Sequence, residues 1–177
     1  MLSVLHSISV LIPLPPYFDK SIKIMRTSEC LIEKLKEFEG LRTEAYRDAA
    51  GVWTIGYGHT GRDVKRGDRI SEYWATDLLR RDLAVVAKAV DELGVAVTQG
   101  QFDALVSFAF NLGIGRLRNS TLLKTIREGG SHSQIKKEFK KWVYAGGKQM
   151  PGLVKRRNWE ADRFFESEDL ETQLAHV

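Results

Sequence analysis

Cysteine is almost absent from this chain. Its 177 residues include one, Cys30, so no intrachain disulfide can form and no metal site can be assembled from cysteines. The fold must hold by packing, and it does not require an oxidising compartment. Proline is scarce as well. Of four prolines, Pro13, Pro15 and Pro16 crowd into the amino terminus and the fourth is Pro151. Long apolar runs are also missing. Met1 to Leu14 is apolar without Lys or Arg, but it is shorter than the roughly 20 residues of a membrane helix. It also lacks the basic start of a secretory signal. Residues 1–27 therefore read as a disordered or weakly ordered extension. Met25, just ahead of a helix-start sequence, is a candidate natural first residue. No internal repeat, low-complexity block or recognised nucleic-acid motif stands out.

Hydrophobic residues make up 43% and charged residues 28%, which suits one soluble domain with a real core. The net charge of +4 is unevenly spread. Residues 1–115 hold 14 Lys and Arg against 15 acids, whereas residues 116–163 hold 13 against 4. The remainder is an acidic tail, set at 167–177 as a segment of its own. A basic lobe suits a polyanion such as an anionic cell wall, a nucleic acid or an acidic membrane surface, or serves only to solvate the protein. Lys136, Lys137, Lys140, Lys141, Lys155, Arg156 and Arg157 are the residues that would steer it onto anionic wall polymers.

From Ser28, apolar residues at 31, 32, 35 and 38 fall at helical spacing, and Gly40 supplies a stop. Residues 44–60 change period. Aromatic, β-branched and small residues around Gly51 read as a short hairpin. Helical pattern returns from Ser71 to Gly94, with Ser71 as cap. Thr98 and Gln101 fit a capping box before FDALVSFAFNLG, a helix apolar on nearly every side and hence buried. Further helices are expected at 120–128, 133–144 and 151–166, the last with Pro151 in its first turn. The sum is an α+β domain over 28–166.

Two carboxylates stand out. Glu39 ends the first helix, Asp48 follows in the hairpin, and Thr54 comes next on the returning strand. Glycoside hydrolysis needs such a pair, one protonated to serve the leaving oxygen and one ionised to activate water or stabilise positive charge. Partial burial beside Phe38 would favour a protonated Glu39, while Asp48 in a polar turn after Arg47 stays charged. Taken alone the pair is weak, because 23 acids make such spacings common. A solvated carboxylate for Glu39 and a plain strand residue for Thr54 are the competing readings.

The string EGLRTEAYRDAAGVWTIGYGHT, residues 39–60, resembles the active-site segment of the phage lysozymes of glycoside hydrolase family 24. That segment is patterned as Glu, eight residues, Asp, five residues, Thr. SFAFNLG from Ser107 resembles the family's central buried helix, and WVYAGGKQMPGLVKRR from Trp142 resembles its carboxy-terminal part. The resemblance spans about residues 28–166. It implies a lysozyme-like fold, a small β-hairpin or sheet lobe and a mainly helical lobe with the active-site cleft between them.

It further implies Glu39 as general acid, with Asp48 and Thr54 holding the attacking water, in an inverting hydrolysis of the β-1,4 bond between N-acetylmuramic acid and N-acetylglucosamine. Asn111, Tyr57 and Gly58 are the substrate-binding candidates, although Asn111 could equally cap its helix and Tyr57 and Trp53 could be core. His59 is read as structural, paired with Asp82 on the long helix to tie the sheet to the helices. No metal or organic cofactor is implied. The expected partner is bacterial peptidoglycan, reached from the host cytoplasm through a separate holin, by a monomer that causes lysis. The competing functions are a non-catalytic wall-binding protein on the same fold, a lytic transglycosylase, and a nucleic-acid binder resting only on the basic lobe.

Overall fold

The computed structural model describes residues 25–95 and 97–166; the expected extension up to residue 24 and the acidic tail from 167 lie outside the described residues. Among the described residues, seven helices and two small sheets follow in the order α1 (Glu29–Glu39), β1 (Arg42–Arg47), β2 (Trp53–Gly56), β3 (His59–Thr60), α2 (Glu72–Asp91), α3 (Gln99–Leu112), α4 (Ile114–Arg118), α5 (Thr121–Arg127), α6 (His132–Lys140), β4 (Tyr144–Ala145), β5 (Lys148–Gln149) and α7 (Pro151–Arg163). The fold is α+β, with an antiparallel β1–β2–β3 sheet set against the helices.

Local chemistry fixes the helix starts. The hydroxyls of Ser28, Ser71, Thr98, Ser120 and Ser131 each accept a backbone N–H from the first turn of the following helix, satisfying donors the helix leaves open. Thr98–Gln101 and Ser131–Gln134 close full capping boxes. Pro151 occupies the first turn of α7. Helix α3 runs through the core, with Gly100 and every residue from Phe102 to Ala109 buried. Around it pack Leu31 and Leu35 of α1, Leu79 and Leu83 of α2, Phe139 of α6 and Phe164. Each such side chain contributes roughly 1.5–3 kcal/mol on burial. A Cβ on Gly100 would sit 2.5 Å from the backbone carbonyl oxygen of Arg163, so glycine there lets α3 and α7 approach closely.

One expectation needs correction. The helix expected over 133–144 stops at Lys140, and Tyr144 and Ala145 pair with Lys148 and Gln149 in a hairpin. Gly146 and Gly147, at φ 56° and 75°, form its two-residue turn, a conformation that favours glycine at both positions. Helix α4 lies in a stretch for which no element is assigned from sequence. Ahead of α1, Met25 packs on the core and the Arg26 carbonyl accepts from Gln99 Nε2 at 2.9 Å.

Candidate active site

Glu39 is the last residue of α1, and Gly40 turns the chain out of the helix. A carboxylate at a helix C-terminus faces the negative end of the macrodipole, so its placement needs a partner. Arg156 of α7 supplies one, donating from Nη1 to Glu39 Oε1 at 2.6 Å. The Glu39 side chain is 25% exposed and that of Arg156 4%, so the contact is shielded on one side and open on the other. Arg156 is itself fixed on three sides. Its Nη2 donates to the Ser107 carbonyl at 3.0 Å, its Nε to Glu160 Oε1 at 3.4 Å, and its guanidinium lies over the Phe38 ring at 5.3 Å.

Glu39 lines a cleft of about 480 Å³ together with Tyr57, Gly58, Thr60, Asp82, Val85, Val86, Phe110 and Asn111. The three expected substrate-binding residues therefore share one concavity with the expected acid. Asp48 and Thr54 lie outside that lining, on the hairpin. Asp48 Oδ1 accepts from Ala50 N at 2.9 Å and Val52 N at 2.8 Å, so one oxygen builds the turn, as aspartate often does. Tyr46 pairs with Thr54 across β1 and β2. Asp48 follows the end of β1, where its backbone N–H donates to the Val52 carbonyl at 3.0 Å. Thr54 is buried, and its hydroxyl donates to the Val52 carbonyl at 3.1 Å.

His59 Nδ1 lies 2.9 Å from Asp82 Oδ2, joining β3 to α2, and its Nε2 lies 3.3 Å from Asp63. Burial works to lower the histidine pKa, but the hydrogen bonds and charges of Asp82 and Asp63 outweigh it and raise it above the usual 6.5. Tyr57 is buried, with its hydroxyl 3.3 Å from Glu72 Oε1. Trp53 carries the Arg47 guanidinium 4.8 Å above its ring.

The phage lysozyme family model matches residues 36–160. The chain belongs to the phage lysozyme family. It is 48% identical over 147 residues to an endolysin of Bacillus phage B103, a match covering 81% of this chain and 56% of that protein. It is 41% identical to an endolysin of Acyrthosiphon pisum secondary endosymbiont phage 1, covering 79% of this chain and 98% of the relative. Among solved structures, the muramidase domain of SpmX from Asticaccaulis excentricus superposes with a TM-score of 0.73 at 36% identity, covering 79% of this chain and 97% of that one. The chain spans little more than half the length of the Bacillus phage endolysins it matches.

In this phage lysozyme chain the steering set needs correction. Arg156 and Arg157 are 3% and 0% exposed, so they cannot face a wall polymer. Lys136 pairs with Asp162 at 3.4 Å and Lys141 with Glu138 at 2.5 Å. The two arginines serve the interior. Arg157 Nη2 donates to Asn111 Oδ1 and to Glu160 Oε1, both at 3.0 Å, and the Ser107 hydroxyl donates to Glu160 Oε1 at 2.7 Å. Burial pushes the Glu160 carboxyl up to about 7 against the pull of both guanidiniums, and lowers Arg157 to about 10.

Sequence reasoning missed Ser107, Arg156 and Glu160. A signal for them existed. Gln99, Asp103, Ser107 and Asn111 recur every fourth residue along a helix that is apolar from Phe102 onward apart from them, which aligns them in one stripe. A polar stripe inside a core demands partners, and α7, with Arg156, Arg157, Glu160 and Arg163, provides them. Among the described residues no cluster of three or more His, Cys, Asp and Glu side chains is arranged to hold a metal, and no helix is long and apolar enough to cross a membrane.

Proposed function

We propose that this chain is a phage endolysin of lysozyme type, hydrolysing the β-1,4 bond between N-acetylmuramic acid and N-acetylglucosamine of bacterial peptidoglycan. The observation that carries the reading is Glu39, half-open in a cleft and held there by Arg156, in a chain of this family. The domain is taken as 28–166, extended back to Met25. The Glu39 carboxylic acid gives its proton to the glycosidic oxygen as the bond to C1 breaks. Asp48 accepts a proton from the attacking water, which Thr54 helps to place, and the new hydroxyl forms at C1. Attack from the face opposite the leaving group inverts the anomeric centre. Tyr57, Gly58 and Asn111 border the bound sugar. The enzyme works as a monomer on the wall after synthesis in the host cytoplasm, and a separate holin lets it pass.

The test is turbidity loss of purified peptidoglycan by the parent and by Glu39→Gln. Proton donation by a placed side chain contributes about 100- to 10,000-fold, and a folded Glu39→Gln variant is expected to lose that much. Product ends decide the reaction type. Reducing N-acetylmuramic acid ends match hydrolysis, whereas 1,6-anhydro ends would make the enzyme a lytic transglycosylase. Wall binding by a folded parent without any cleavage would leave only a binding protein.

A further inference from the structure

Glu160 is 0% exposed and lies outside the cleft lining, yet two of its contacts lead to that cleft. Its Oε1 takes the Arg156 Nε at 3.4 Å, and the same guanidinium reaches Glu39 Oε1 at 2.6 Å. That oxygen also takes Arg157 Nη2 at 3.0 Å, and the same nitrogen reaches Asn111 Oδ1 at 3.0 Å. The carboxyl is oriented in turn by the Ser107 hydroxyl at 2.7 Å. A guanidinium is a rigid planar fork. Fixing its Nε edge therefore fixes where its Nη1 points.

We propose that Glu160 is a positioning residue for the general acid, holding Arg156 so that its guanidinium sets the place of the Glu39 carboxyl in the cleft. Ser107 locks Glu160, Glu160 locks Arg156, and Arg156 locks Glu39, a chain from α3 through α7 to the end of α1. The proposal rests on the reading of Glu39 as the acid. A proton donor must lie within hydrogen-bond reach of the leaving oxygen, so slack anywhere in this chain reaches the chemical step. Arg157 and Asn111 form a side branch of the same hub, which places one bordering residue of the cleft.

A buried acid can also matter for stability alone, and the molecule holds its own control. Asp103 is likewise 0% exposed and likewise pairs with an arginine, Arg163, at 2.8 Å, but its contacts run to Ser28 and Gln99 at the other end of α1. The experiment compares Glu160→Gln, Ser107→Ala, Asp103→Asn and Glu39→Gln. Each is checked for cooperative thermal unfolding, and kcat and KM are measured separately on soluble peptidoglycan fragments. The expected result is a lowered Tm in both Glu160→Gln and Asp103→Asn. A drop in kcat of about 10- to 100-fold, the scale set by ångström-level misplacement, is expected in Glu160→Gln alone, with KM changing far less.

Ser107→Ala, which leaves its backbone carbonyl contact to Arg156 intact, is expected to show the same kcat-weighted loss in smaller measure. It carries the comparison if Glu160→Gln does not fold. Equal kcat values in the Glu160 or Ser107 variant and in Asp103→Asn, with Glu39→Gln inactive, would overturn the positioning role and leave the acid standing. An active Glu39→Gln would overturn the acid and the positioning role together.

Discussion

Helix α1 is tied at both ends by a buried acid paired with an arginine of α7, and the two ends are built differently. At the amino end Asp103 accepts from Ser28 N, Ser28 Oγ, Gln99 Nε2 and Arg163 Nη2, at 3.1, 2.6, 3.0 and 2.8 Å. Four donors meet one carboxylate, and the same Ser28 hydroxyl caps the helix. At the carboxyl end Glu160 and Arg157 remain partly unmatched. Glu160 Oε2 lies 2.9 Å from Arg157 Nε without the alignment of a hydrogen bond, and Arg157 Nη1 has no partner. Unsatisfied buried groups are costly and rare. At the amino end Arg163 Nε alone is buried without a hydrogen-bond partner among the described residues, against Arg157 Nε, Arg157 Nη1 and Glu160 Oε2 at the other. The imperfect pairing collects beside the cleft, with Glu39 as one output of the network, and marks that end as the one shaped by function. The closed end is a fastening.

The sharpest way to break the contrast is to remove each arginine. Arg156→Met strands Glu160 with one guanidinium fewer and also frees Glu39. Breaking a buried pair in this way costs about 3–5 kcal/mol, and activity is expected to fall with it. Arg163→Met leaves Asp103 with its three remaining donors, so about 1–3 kcal/mol is expected, with activity per folded molecule unchanged. Denaturant unfolding and turbidity assays on both variants read this directly, and equal losses of activity would erase the distinction between the ends.

A milder probe is Ser28→Ala, which removes a helix cap and one Asp103 donor; a loss of about 1 kcal/mol without change in kcat is expected. The smallest effect concerns a third pair, His59–Asp82, which belongs to neither end. Its histidine has a folded-state pKa raised above 6.5, so its stabilisation is complete below that value and fades as pH rises through the folded one. His59→Asn is expected to melt below the parent at acidic pH, with the gap narrowing on the alkaline side and much activity kept at low temperature. A constant gap across pH would separate this pair from the protonation argument.

The helix starts were legible because each rests on neighbours in sequence. Ser28, Ser71 and Thr98 cap within three residues, and Gly40 stops α1 as expected. The β1–β2 hairpin was legible for the same reason, since Gly51 and alternating side chains act locally. The hairpin of Tyr144–Gln149 was readable too, from Gly146–Gly147, but helical spacing on its amino side masked it. Glu39 and Asp48 drew attention only as a pattern that resembled a family, for carboxylates are abundant and their spacing carries little information.

What the sequence determined by itself is what short-range chemistry enforces: caps, turns, the buried character of α3, and a composition sufficient for one packed domain without disulfides. Tertiary structure decided which charges went inside. Arg156 and Arg157 sit in a basic run and look like surface residues, because Glu160 is the one partner near them in sequence and nothing close by names the others. The distant partners, Glu39, Ser107 and Asn111, lie more than 40 residues away; the antiparallel approach of α3 and α7, at Gly100 close enough to exclude a Cβ, brings Ser107 and Asn111 within 3 Å or so, and α1 brings Glu39. Burial then removes the water that would otherwise serve each charge, and leaves these acceptors and Glu160 to serve the two arginines.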